Sequence, residues 1–227
     1  MGSVHSNNWV EQMTDKRMLV TLPDFDDTTA YLSAWSRKVI EVAETKAVKV
    51  FVLRGKEANR KNLENRLSGK KPSLVFFNGH GSKEHICGHQ NEALVDTDNC
   101  FLLESTIVYS RSCDSAGILG KQAVREGKAR AFLGYELAFI FVKNNARIAT
   151  PLKDDYSAPC LESSNAVPEA LINGSTAQQA FEKSQKHFEK EIEYLRTHYS
   201  PENSHILFAL QWDKTVQKLI GDPNAII

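Results

Sequence analysis

Two short runs constrain this chain more than any other feature: SLVFFN at residues 73–78 and TIVYS at residues 106–110. Each is dominated by apolar residues, on both faces in the first. A strand of this kind must be covered on both sides, which is the condition of a parallel sheet. Further strand signals stand at residues 18–22 (MLVTL), at 48–53 (VKVFVL) and at 131–134 with their flanks. Between them lie helical stretches at residues 28–45, 57–67 and 116–126; the first carries Tyr31, Leu32, Trp35, Val39, Ile40 and Ala43 at helical spacing. Strands alternating with helices imply right-handed crossovers and a mostly parallel central sheet with helices on both faces.

The remainder is less regular. Residues 82–98 hold short alternating pieces and predict a small hairpin at the sheet edge or rim. Residues 137–142 read as a further short strand, and 144–167, with Pro151 and Pro159, as a loop-rich segment. Residues 176–196 predict a long amphipathic helix and 201–219 a last helix. Residues 1–17 read as a flexible segment, and 18–227 as a single domain, which a chain of 227 residues accommodates.

Lys plus Arg and Asp plus Glu are both 28, so the formal net charge is +0. No field of one sign exists to gather nucleic acid, and no apolar run is long enough to span a bilayer. Neither nucleic acid nor membrane is expected as a partner. The start lacks an apolar signal core, and four irregularly spaced cysteines (Cys87, Cys100, Cys113, Cys160) read as reduced thiols; both point to the cytoplasm.

In parallel sheets functional groups collect at the carboxyl ends of the strands. That rule singles out Asn78-Gly79-His80-Gly81 and Ser110-Arg111-Ser112-Cys113. Acyl transfer through sulfur needs a thiolate, a base to take its proton, and donors aimed at the developing oxyanion. His80 supplies the base. Cys113, read as standing where a strand becomes a helix, supplies the nucleophile, since a helix N-terminus stabilises a thiolate. Glycines around His80 let a substrate backbone approach, and the N–H groups of Gly81 and Cys113 are the candidate oxyanion donors.

LVFFNGHG followed by TIVYSRSCDSAG resembles the caspase-like cysteine peptidases of clan CD: the caspase, gingipain, clostripain and CHAT group. GKARAFLGYELAF and VPEALINGSTAQQAFEKS are similar to the strand and the C-terminal helix entry that follow in CHAT and gingipain-type domains. The resemblance spans roughly residues 18–196. It implies a caspase-hemoglobinase-like three-layer sandwich and a cysteine endopeptidase with no cofactor. The substrate is then a protein or peptide, and a regulatory protein partner is a further expectation. Cys113 is the implied nucleophile, with His80 as base and acid. In several members the residue two before the nucleophile lines the first substrate pocket; here it is Arg111, which favours an acidic side chain. Asp114 and Glu136 argue the other way, for a basic one.

Two further groups compete for a role. His85, Cys87 and His89 alternate along the expected hairpin, as zinc ligands sharing one face would. Asp24, Asp26 and Asp27 follow the first strand; one of them either orients His80 or, the favoured reading, caps the next helix. A catalytically inactive binding module of the same fold is the main alternative to an enzyme.

Overall fold

The computed structural model describes residues 16–227. Strand β1 (Arg17–Leu22) is followed by α1 (Asp27–Thr45), β2 (Lys49–Arg54), α2 (Arg60–Lys70) and β3 (Leu74–Phe77). The chain continues through β4 (His85–Cys87), β5 (Ala93–Asp96), β6 (Ile107–Ser110), α3 (Ile118–Arg125) and β7 (Ala131–Tyr135). It ends with α4 (Ala158–Ile172), α5 (Ala177–Thr197), α6 (Ser204–Val216) and β8 (Gln217–Gly221). The main sheet has the order β2-β1-β3-β6-β7-β8, with every pair parallel except β7–β8.

Alternation along each strand sends side chains into two cores. Met18, Val20, Leu22, Leu74, Phe76, Ile107 and Tyr109 meet Tyr31, Trp35 and Val39 of α1 and Leu161, Val167 and Leu171 of α4. Leu19, Val75, Phe77, Val108 and Phe132 face the opposite way, onto Leu63 and Leu67 of α2 and Leu119 and Ala123 of α3. This is the three-layer α/β sandwich expected from the doubly apolar strands. Helix α1 starts in a capping box, Asp26 with Thr29, and buries positions 31, 32, 35, 39 and 43.

The expected hairpin is present: β4 and β5 form their own two-stranded sheet, and Ile86, Leu94 and Val95 pack into the α2–α3 core. Three other expectations are corrected. Residues 137–142 form no strand; they run as a strap. The last helix stops at Val216, and residues 217–221 turn back as edge strand β8, antiparallel to β7. Residues 158–172, expected to belong mostly to a loop, are helix α4. Pro159 lies in its first turn, where no partner is lost. Pro168 lies inside, and its missing N–H would have served the Ser164 carbonyl; the buried Tyr109 hydroxyl donates to that carbonyl instead, at 2.9 Å. Of the expected flexible N-terminal segment, residues 1–15 lie outside the described residues, and Arg17 already pairs with Lys49 in β1.

Candidate active site

Strands β3 and β6 are hydrogen-bonded neighbours, with Phe77 opposite Ser110. His80 is three residues beyond Phe77 and Cys113 three beyond Ser110 (80 − 77 = 113 − 110 = 3). The two loops therefore leave adjacent strands at the same level, on the carboxyl side of the sheet.

The histidine loop is fixed by a buried polar stitch. The Asn78 N–H donates to the Thr21 hydroxyl at 2.9 Å, and the Asn78 amide donates to the Thr21 carbonyl at 2.9 Å, tying β3 to β1. Gly79 has φ of +140°, and a Cβ there would stand 2.4 Å from the Cys87 carbonyl. A Cβ on Gly81 would stand 2.7 Å from Ser112 Cβ and 3.1 Å from the Cys113 carbonyl. Glycine at 81 is what lets the histidine loop touch the cysteine loop. The Cys87 N–H donates back to the His80 carbonyl at 2.8 Å, so the β4–β5 hairpin buttresses the histidine from outside.

His80 Nε2 lies 2.7 Å from Asp26 Oδ2. Burial alone would raise the Asp26 carboxyl; the Thr29 N–H, His80 and the Thr29 hydroxyl outweigh it and hold the group below the ordinary aspartate range. An ionised carboxylate accepts and cannot donate, so Nε2 donates to it, and in the neutral imidazole the lone pair is on Nδ1. Asp26 thus performs both duties between which the sequence left a choice. Its Oδ1 caps α1 through the Thr29 N–H at 2.8 Å, and its Oδ2 orients the imidazole. Phe25 meets the rings of both His80 and His89 edge-on, at 6.0 and 5.6 Å.

Cys113 is half-buried, whereas Cys87, Cys100 and Cys160 are buried. It does not stand at a helix N-terminus: residues 113–117 form turns, and α3 begins at Ile118. The thiol donates to the Phe139 carbonyl on the strap at 3.7 Å, and no direct bond to His80 forms among the described residues. Burial, with the Asp114 and Asp213 carboxylates, raises the thiol above its ordinary range despite the opposing bond to Phe139. At rest the sulfur is therefore protonated. Neither the Gly81 nor the Cys113 N–H donates to a protein group among the described residues.

The three expected specificity residues separate. Asp114 adopts a left-handed backbone, φ +58°, beside the nucleophile, and its N–H donates to the Leu137 carbonyl at 3.2 Å. Glu136 lies at the rim, paired with Lys218 at 3.0 Å. Arg111 does not line a substrate pocket. It is 1% exposed and turned into the α1–α4 core. There its guanidinium donates to Asn78 Oδ1, Asn165 Oδ1 at 3.1 Å, the Leu32 carbonyl at 2.8 Å and the Ser36 hydroxyl, and it lies 4.9 Å from the Phe76 ring. At the position two before Cys113 the side chain points to the side of the sheet away from α3, which strand alternation dictates. Burial pushes its pKa down to about 10, still a cation at neutral pH.

The zinc reading is also corrected. Among the described residues no group of three His, Cys, Asp or Glu side chains stands close enough to hold a metal ion. Cys87 is buried, the His85 ring bonds the Ser82 hydroxyl at 3.0 Å, and a register shift between Ile86 and Cys87 interrupts the alternation on which a shared face depends.

With this geometry established, known structures supply a comparison. A crystal structure of gingipain R, an Arg-specific cysteine proteinase, superposes with a TM-score of 0.60 over 93% of this chain and 47% of that one, at 14% identity. The chain has the gingipain fold. A complex of the pro- and mature domains of the Porphyromonas gingivalis proteinase matches with a TM-score of 0.58, 11% identity and coverage of 94% and 48%. The chain spans about half the length of these gingipain chains. Both neighbours are gingipains, which supports a clan CD fold without favouring the CHAT or clostripain branches. No family model matches the sequence, and no curated protein does. No helix among the described residues is long and apolar enough to cross a membrane.

Proposed function

We propose that the chain is a cysteine endopeptidase acting through Cys113, His80 and Asp26. The observation that carries this reading is the register of β3 against β6, which brings the His80 and Cys113 loops into contact at Gly81 and Ser112. Because burial raises the thiol, sulfur needs a base to take its proton as it attacks. His80 Nδ1 takes the proton from Sγ as sulfur attacks the scissile carbonyl, and Asp26 stabilises the imidazolium that forms. The Gly81 and Cys113 N–H groups bind the oxyanion. His80 then returns the proton to the leaving amine, and water hydrolyses the thioester by the reverse sequence. For this the thiol must leave the Phe139 carbonyl. The substrate is a protein or peptide.

One observation favours a second reading, an inactive binding module: the resting thiol bonds the strap rather than the imidazole. Turnover of a peptide library by wild type and by Cys113→Ala separates the two. The peptidase reading expects cleavage that is abolished in the variant. Absence of cleavage by wild type, or equal cleavage by both, overturns it.

A further inference from the structure

A groove of about 620 Å³ adjoins the candidate site and shares Gly117 and Leu137 with the Cys113 turn. The Gly117 N–H donates to the Asp114 carbonyl at 2.8 Å, and the Leu137 carbonyl accepts from the Asp114 N–H at 3.2 Å. One wall is the histidine loop at Lys83, whose carbonyl accepts from the Leu119 N–H at 2.8 Å; the other is the outer face of α3. The groove runs away from Cys113 along positions 118, 121 and 125, one stripe of that helix.

Its lining has two chemistries. Ile118 and Leu137 are 46% and 40% exposed, among the large apolar side chains that the described residues leave in solvent. Around them Lys83, Lys121 and Arg125 form no ion pair among the described residues. Of the two lining acids, Glu136 pairs with Lys218 at 3.0 Å, whereas Glu126 accepts at 3.1 Å from the neutral Gln122 amide and keeps its charge. Three cations against one unpaired carboxylate leave net positive charge flanking an apolar strip.

We infer that this groove binds an acidic segment of the substrate, next to the scissile bond, that carries a bulky apolar residue between carboxylates. The inference rests on the peptidase reading for what the segment belongs to, and on the groove's own residues for its chemistry. Apolar contact with Ile118 and Leu137 supplies affinity, and the three cations select against basic segments.

The test uses full-length Cys113→Ala protein, so that nothing is cleaved, and two fluorescein-labelled peptides: a leucine between glutamates, and the same leucine between lysines. Fluorescence anisotropy at low salt is expected to show the acidic peptide bound about tenfold tighter, the work of a few exposed charge pairs, with the gap closing as salt is raised. Adding Lys121→Glu and Arg125→Glu, or Lys83→Glu alone should the helix variant melt early, is expected to remove or invert the preference. Equal binding of both peptides, no binding of either, or a preference untouched by the variants overturns the inference. Wild-type turnover of a library without charge preference also overturns it and leaves the peptidase reading standing. Charge-selective binding without any turnover does the reverse.

Discussion

At the residue scale, the imidazole tautomer is the point on which the chemistry turns. In Asp26→Asn the amide oxygen can still accept from the Thr29 N–H, so α1 stays capped; Asn caps as well as Asp. The amide nitrogen then faces His80 Nε2 as a donor and forces the proton onto Nδ1, the atom that must accept from sulfur. Asp26→Asn is expected to lower kcat/KM by about 100-fold or more with little change in the thermal midpoint. An equal loss of stability and activity would mean that Asp26 is a cap alone. Asp213 is a second case. It is buried on α6; its Oδ1 accepts from the Ile140 N–H at 3.0 Å, and its Oδ2 has no partner among the described residues. Burial raises its pKa well above the ordinary 3.8, despite the Ile140 bond. A folded-state value above the unfolded one means that the fold retains a proton the unfolded chain has lost. Stability contributed by that proton is complete below 3.8 and falls as pH rises through the window above it. Asp213→Asn has no such window. Its melting midpoint should gain on wild type as pH rises above 3.8, and parallel midpoint curves would contradict the assignment. Of these residues the sequence displayed His80 and Cys113, because each ends an apolar run. The pairing of Asp26 with His80 was visible as one of two choices, and Asp213 not at all, because an acid on an amphipathic helix reads as solvated until the packing partner is known.

At the scale of elements, the ends of β3 and β6 are held to α1 and α4 by one buried cation. The family resemblance implied that Arg111, two residues before the nucleophile, contacts substrate, and strand alternation sends it to the other face. Its donors serve Asn78 in the histidine loop and Asn165 in α4, while Asn165 also donates to the Trp35 carbonyl of α1 at 2.9 Å. Arg111→Met fills similar space but strands those acceptors in a dry core. A loss of about 3 kcal/mol or more in urea unfolding is expected, from several unsatisfied buried groups. Charge preference toward substrate should stay as it was. A variant of wild-type stability with altered preference would restore the pocket role. Helix α4 was hidden by its prolines, and β8 by continuity with the α6 pattern. In both, tertiary contacts override a local signal: Tyr109 replaces the bond Pro168 removes, and β7 recruits residues 217–221.

At the scale of the whole molecule, the layer order was legible because doubly apolar strands have one stable environment. The loops at the carboxyl rim were not, because turns and straps carry little periodicity. This is why the turn at residues 113–117 was taken for a helix start and the thiol expected to be lowered rather than raised. The fold delivers one half-buried cysteine beside an oriented histidine and keeps the other three buried. Incubation with a peptidyl acyloxymethyl ketone library, followed by mass-spectrometric mapping, tests this most directly, since such a reagent needs peptide recognition, a nucleophile and a base at one place. One equivalent of label on Cys113, lost in Asp26→Asn and absent from Cys87, Cys100 and Cys160, is the predicted result. Label spread over the cysteines, or none on Cys113, would contradict the assignment of this site.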